Sequence, residues 1–377
     1  MHNIFARWLA LFAAIISAPA MANCSSCEDI TRNFAKKEGF NGVVLVAQGS
    51  RVDYVESFGV MNASTRAPLS ADTRFETGSI SKWIAAIVVM RLVQQGQLSR
   101  DEPITRNLPG YRKDTGRKIT LRWLMSHSSG VPNEIDAAVK QDPTVKELSL
   151  DNDTAVRKYA SGDLRFEPGT DWDYSHSNWL IVKAVVEKVT GQNYGDLVNR
   201  ILLQPLALHN SGVWVGDSAN VPGMALGYRQ LDPQPEPLRK PNPDFLVMAG
   251  GYYASANDML QLMDGLFAGK LLSPKALNTL MTVIRPDQHY ALGGRAKILD
   301  TGGKPRLVAW EYGSNGAFRV LAWRVIEDGH TVIVMNNTSF DHMKIGALAT
   351  QLLDASYLVN GVMDNLNVQT GDRPAVR

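Results

Sequence analysis

The chain has 377 residues, 39 Lys and Arg against 37 Asp and Glu for a net charge of +2, and 45% hydrophobic and 20% charged residues. That is the composition of a folded domain; it argues against a disordered chain and leaves no strong basic footprint for nucleic acid or an anionic membrane. Two cysteines are too few for a disulfide scaffold or a cysteine-rich metal site.

In chain order, residues 1–22 predict an export signal. Arg7 supplies the positive end, Trp8 to Ile16 an apolar run, and Ala20-Met21-Ala22 a small-x-small cleavage site. The run is shorter than the ~20 residues a membrane span needs. A lipoprotein is the other reading, since Cys24 follows closely, but Asn23 before it fits lipidation poorly. Export places the protein in the periplasm or outside the cell, where Cys24 and Cys27 can close a small local disulfide or stay as idle thiols. A redox C-x-x-C would follow a strand in a βαβ unit, and this one opens the mature chain.

Residues 42–47 are apolar and β-branched, 48–51 form a turn, and 52–58 alternate, which predicts a hairpin. Ser79 to Gln95 predicts a helix apolar around most of its circumference, stopped by Gly96. Residues 120–243 carry mostly helical signals, of which Leu180 to Val189 is the clearest. A further helix lies within 250–267, entered through Ser255-Ala256-Asn257-Asp258. Short β-rich runs return at 306–311, 318–326 and 330–335, and 344–359 predicts a last helix. The economical architecture is α+β: one antiparallel sheet built from both chain ends, flanked by helices, with an α-rich insertion. The domain then spans 23–359, with an α/β part at about 28–119 and 244–359 and a helical part at about 120–243. Residues 360–377 form a flexible polar tail.

The chain has no H-E-x-x-H, phosphate-binding loop, EF-hand or G-x-S-x-G elbow, and its seven histidines are scattered. One motif remains, the S-x-x-K of Ser79-Ile80-Ser81-Lys82. At i and i+3 on the first turn of a helix, Ser79 and Lys82 share a face. The helix N-terminus offers free N–H groups to a developing oxyanion. A serine hydroxyl needs a base beside it, and a lysine serves once burial has lowered its pKa. A tyrosine near that lysine, its own pKa lowered by the cation, can share the proton traffic. Ser81 has no lysine three residues on and should point elsewhere.

These residues resemble the serine β-lactamase and penicillin-binding-protein superfamily, and within it the class C β-lactamase-like hydrolases, which include D,D-peptidases, D-aminopeptidases and esterases. The resemblance covers about residues 40–337. Thr73-Arg74-Phe75-Glu76-Thr77-Gly78-Ser79-Ile80-Ser81-Lys82 is similar to the nucleophile segment, and Leu121 through Pro132, with Ser126-His127-Ser128-Ser129-Gly130, to the next signature. Phe166-Glu167-Pro168-Gly169 leading to Tyr174-Ser175-His176 resembles the second catalytic element, and Ala249 through Asp258 a further landmark.

The resemblance implies that Ser79 is the acyl-forming nucleophile, Lys82 its activating partner and Tyr174 the second proton-transfer group. Glu311-Tyr312-Gly313 falls where the family has Lys/His-x-Gly, and the N–H groups of Ser79 and Ser314 would form the oxyanion hole. Two departures stand out. His176 replaces the Asn of Tyr-x-Asn, and Glu311 replaces a cation that would favour a substrate carboxylate. His176 and Glu311 are therefore expected to face each other as a compensating pair lining the substrate pocket with Tyr312 and Gly313. His127 reads as a hydrogen-bonded helix-end histidine rather than a base, and Trp172, Trp179 and Trp310 as aromatic core or cleft lining. The implied activity is serine hydrolysis of an ester or amide, as esterase, D-amino-acid peptidase or β-lactamase-like enzyme, without metal or organic cofactor. The substrate would be a small molecule or peptide, with no nucleic-acid partner and no membrane span once the signal is removed. Oligomeric state is not set by the sequence. The alternative is a catalytically weak penicillin-binding-type binding or sensor protein that retains the fold.

Overall fold

The computed structural model describes the backbone of residues 24–370 and the side chains through residue 358. The expected export signal at 1–22 lies outside the described residues. Six strands, β1 (Gly42–Gln48), β2 (Arg51–Phe58), β3 (Arg295–Thr301), β4 (Lys304–Asn315), β5 (Phe318–Val325) and β6 (His330–Asn336), form one antiparallel sheet. Its order is β3-β4-β5-β6-β1-β2. The two ends of the chain meet at its centre, where Val44 of β1 lies opposite Val334 of β6 and Leu45 opposite Ile333.

β1 is apolar without alternation because both faces of the sheet are covered. Val43, Leu45 and Ala47 enter one core, Val44 and Val46 the other. The second core is closed by α1 (Ser25–Glu38) and by the last helix, with Cys27, Ala35, Ile345, Leu348 and Leu352 packed on the sheet. The first core is larger. Into it go α2 (Ile80–Gln94), α3 (Glu134–Gln141) through Ile135, α4 (Ser177–Thr190) and α5 (Ala256–Phe267). The buried residues of the helical region thus share one core with the sheet. In α2 every residue from Ile80 to Met90 is buried, so the helix is apolar all round, as its sequence indicates.

The hairpin and the three late strands fall where the sequence places them, but two elements escape it. α1 buries only Cys27, Thr31 and Ala35 along a four-residue step, a stripe with too little apolar content to stand out. β3 is an edge strand with exposed Ile298 and Asp300 and a polar outer side. Cys24 and Cys27 are joined in a disulfide at the start of α1. The last helix, α6, runs His342–Thr370, past the end expected near 359 and into the segment expected as a flexible tail. Among the described residues, no helix is long and apolar enough to cross a membrane.

Candidate active site

Ser79 is the N-cap residue of α2, yet its side chain makes no cap hydrogen bond. Its hydroxyl is therefore not spent on the helix. The loop before it is pinned from one side by the short strand Tyr252–Ala254, which lies between Phe75–Glu76 and Gly212–Val213. The Thr77 N–H and hydroxyl both donate to the Tyr252 carbonyl, at 3.0 and 2.8 Å. The Tyr252 N–H donates to the Ser81 hydroxyl at 2.9 Å, so Ser81 points away from Ser79, as expected.

From the other side comes β4. Gly78 has φ +52°, and a Cβ on it would lie 2.5 Å from the Ser314 nitrogen. A Cβ on Gly313 would lie 1.8 Å from the Thr77 carbonyl oxygen. Both glycines are required for β4 to run backbone to backbone beside the Ser79 loop. This approach brings Gly313 and Ser314 to the Ser79 loop.

The structure brings Ser79, Lys82 and Tyr174 together. Lys82 Nζ donates to Ser79 Oγ at 3.2 Å and to the Ala249 carbonyl at 2.7 Å, and the side chain is fully buried. Burial pushes the Lys82 pKa down to about 7; Glu311 and Asp136 pull it upward, and Arg295 adds to the depression. Near neutral pH a substantial share of Lys82 is therefore free amine, able to accept a proton. The Tyr174 hydroxyl donates to Ser79 Oγ at 2.8 Å, and its ring lies 5.1 Å from Lys82 Nζ.

One sequence expectation fails here. The Tyr174 pKa is raised, not lowered, first by burial and then by the Glu311 charge. With burial and the Glu311 charge outweighing the opposing influences, Tyr174 is a phenol that donates.

His127 is the platform for Tyr174. The two rings stack with centroids 4.2 Å apart. His127 Nδ1 accepts from the Ser175 N–H at 3.1 Å and contacts Asn178 Nδ2 at 3.3 Å, which assigns the Nε2–H tautomer. Burial, then Lys82, holds its pKa well below the usual histidine value. It is neutral and structural, as expected. Around it the Ser126–Gly130 signature is stitched to the Tyr174 segment: Gly169 N–H donates to the Ser128 carbonyl at 2.7 Å and Asp173 N–H to the His127 carbonyl at 3.0 Å. Trp179 is fully buried core, whereas Trp172 and Trp310 line a cavity.

The expected His176–Glu311 pair does not form. His176 Nδ1 bonds Asp136 at 2.9 Å, and its N–H donates to Asn133 Oδ1 at 3.0 Å. Glu311, 2% exposed, pairs with Arg295 and accepts the Tyr312 N–H at 3.0 Å. The Arg295 guanidinium in turn lies over the Tyr290 ring, 4.7 Å from its centroid. Each unusual residue has its own partner: Glu311 the Arg295 counterion from β3, and His176, whose pKa is lowered first by burial and then by Lys82, a hydrogen bond with Asp136 from α3. Burial still holds the Glu311 pKa above the usual carboxylate value, against the pull of Arg295. Burial likewise tends to raise Asp136, but His176 and Asn133 hold it below its ordinary value.

These pairs flank Ser79 on two sides. One cavity of about 420 Å³ holds Glu311, Arg295, Tyr312, Trp172, Tyr174 and Trp310; the other, of about 310 Å³, holds His176, Asp136, Lys146, Lys240 and Arg319. Ser79 and Ser314 line both. Asp136, Arg295 and the lysines escape sequence reading because no spacing ties them to the motif.

A family model described as Beta-lactamase matches residues 28–356. The chain is 27% identical to Esterase EstB from Burkholderia gladioli over 367 residues, covering 84% of this chain and 90% of that protein. Among solved structures it resembles EstCE1, a hydrolase with promiscuous acyltransferase activity, with TM-score 0.73 and 23% identity over 89% of this chain and 99% of that one. It also resembles a D-stereospecific amidohydrolase from Streptomyces sp., with TM-score 0.72 and 24% identity over 87% and 98% of the two chains. With the matched segment taking in the Ser79 loop, the Tyr174 segment and β4 alike, this chain belongs to the Beta-lactamase family of serine hydrolases.

Proposed function

We propose that the protein is an exported hydrolase that forms an acyl-enzyme on Ser79 with an ester or amide. One observation carries this reading: Ser79 Oγ is held by both Lys82 Nζ and Tyr174 OH, at 3.2 and 2.8 Å. In the proposed cycle neutral Lys82 takes the Ser79 proton as Oγ attacks the substrate carbonyl carbon. The N–H groups of Ser79 and Ser314 receive the oxyanion. Tyr174, a phenol, gives its proton to the departing oxygen or nitrogen and is reprotonated from the Lys82 ammonium. Water then attacks the acyl ester, losing its proton to the same pair, which passes a proton to the departing Ser79 Oγ and so restores the free serine.

The related esterase and the amidohydrolase-like fold support an ester or amide. Glu311 stands where the resemblance would place a cation and takes up Arg295 as its partner, so that side of Ser79 lacks the positive charge that would favour a substrate carboxylate. The Cys24–Cys27 disulfide supports an oxidising compartment, and N-terminal sequencing of the exported protein should begin at Asn23.

The test is a 4-nitrophenyl acyl ester together with a fluorophosphonate probe. Turnover and labelling that both vanish in Ser79→Ala are expected. Wild-type protein that neither turns over nor labels would sink the proposal. Stoichiometric labelling without turnover would mark instead a binding or sensor protein of the penicillin-binding type.

A further inference from the structure

The smaller cavity beside Ser79 is unlike the larger one in charge. Three cations line it, Lys146, Lys240 and Arg319, against one carboxylate, Asp136. Asp136 is already engaged by His176 and by Asn133, whose Nδ2 donates to it at 2.8 Å. Glu76, close enough to be felt by Lys146, is occupied by Ser218 and Asn315, each donating at 2.5 Å. Among the described residues none of the three cations has a carboxylate within ion-pair distance.

Their placement is fixed by the turn after β4. Arg319 Nη1 donates to the Gly316 and Phe318 carbonyls at 2.9 and 2.8 Å. The Lys240 stem passes over Gly316, with Cγ 3.7 Å from the point where a Cβ would stand. Lys146 lies near enough to Lys240 that repulsion, together with burial as the larger cause, lowers its pKa. Asp136 and Glu76 offset part of this charge, but three cations against one lining carboxylate leave an excess of like charge that raises the energy of the empty site, and an anion relieves it.

We propose that this compartment is an anion subsite, and that the ester or amide hydrolysed at Ser79 carries a carboxylate or phosphate group held by Lys146, Lys240 and Arg319. The inference rests on the serine-hydrolase reading above and names its substrate class. The subsite lies across Ser79 from Glu311, where the family resemblance would put the positive pocket. Charge selection has thus moved to the other side of the nucleophile.

Two measurements test it. The first compares kcat/KM for 4-nitrophenyl hemiglutarate with that for its neutral methyl ester. The anionic ester should be preferred by about tenfold at low salt, as for one charge-assisted contact. That preference should shrink with rising salt and disappear in the Lys146→Gln/Lys240→Gln variant. The second measures binding of monomethyl glutarate and of methyl phosphate to Ser79→Ala by calorimetry. Binding about tenfold weaker when both lysines are also replaced is expected, and the tighter of the two ligands names the anion. No preference for the anionic ester, a preference untouched by the lysine changes, or Ser79→Ala binding neither anion overturns the subsite. Lysine-dependent anion binding by a protein that hydrolyses no ester would instead overturn the hydrolase reading and leave the subsite standing.

Discussion

Lys82 has no carboxylate in hydrogen-bond contact; its two bonds go to a hydroxyl and a carbonyl. That arrangement satisfies the ammonium without neutralising it, and burial does the rest, bringing the pKa to about 7. In the proposed cycle the amine is the form that takes the Ser79 proton, so ester hydrolysis should rise with pH through about 7, and a pH profile of kcat/KM checks this. Lys82→Ala should lose that limb and about 10²–10⁴-fold in rate; an unchanged limb would show that another group is the base. Glu311 raises the Lys82 pKa, and Arg295 lowers it. Replacing Glu311 by Gln removes the first and keeps the second, so the limb should move to lower pH. The same substitution leaves buried Arg295 without its counter-charge and should cost about 3 kcal/mol of stability, read from denaturant unfolding. The Ser79–Lys82 contact was legible in the sequence because the motif sets the two one helical turn apart, whereas Tyr174, far along the chain, was reached through the family resemblance of its segment. Charge reasoning alone pairs His176 with Glu311, yet Asp136 and Arg295 claim them first. Those two partners come from α3 and an edge strand, and nothing in the order of residues announces either.

At the scale of elements, the site is a seam between α2 and β4. The helix supplies an immobile floor, buried on every side from Ile80 to Met90. β4 supplies a backbone wall that closes on the Ser79 loop because residue 313 has no side chain. Gly313→Ala would place a Cβ 1.8 Å from the Thr77 oxygen, so one of the two must retreat. Such overpacking should cost about 1–3 kcal/mol. A displacement of about an ångström between the wall and Ser79 should lower kcat by up to 10²-fold. Steady-state kinetics beside thermal unfolding would separate the two effects, and full activity would show that Gly313 is not the contact that sets the seam. α2 and β1 were readable because each is buried on all its faces and so is continuously apolar. α1 and β3 were not, because one buries a narrow, partly polar stripe and the other lies at the edge of the sheet.

At the scale of the molecule, β1 lies beside β6, a strand made more than two hundred residues later, with β2 at the sheet's edge, and both cores draw on the two ends of the chain. The sequence shows this arrangement as β-rich runs at both ends around a helical middle, and the structure bears out the α+β architecture. What it conceals is how fully the helical region merges with the sheet, since a shared core is made by packing and leaves no mark on local periodicity.

The junction of β1 with β6 also sets a clock. During synthesis Ser79 emerges early, while β4, whose Ser314 lies against Gly78, and the sheet's central β6 emerge late. An unfinished chain therefore holds Ser79 without the β4 wall and β1 without one of its neighbours. Nascent chains arrested before residue 318 should not react with a fluorophosphonate, whereas chains released beyond α6 should. A polypeptide that cannot close its sheet until β6 is made keeps Ser79 apart from the strand that walls it until the late strands arrive.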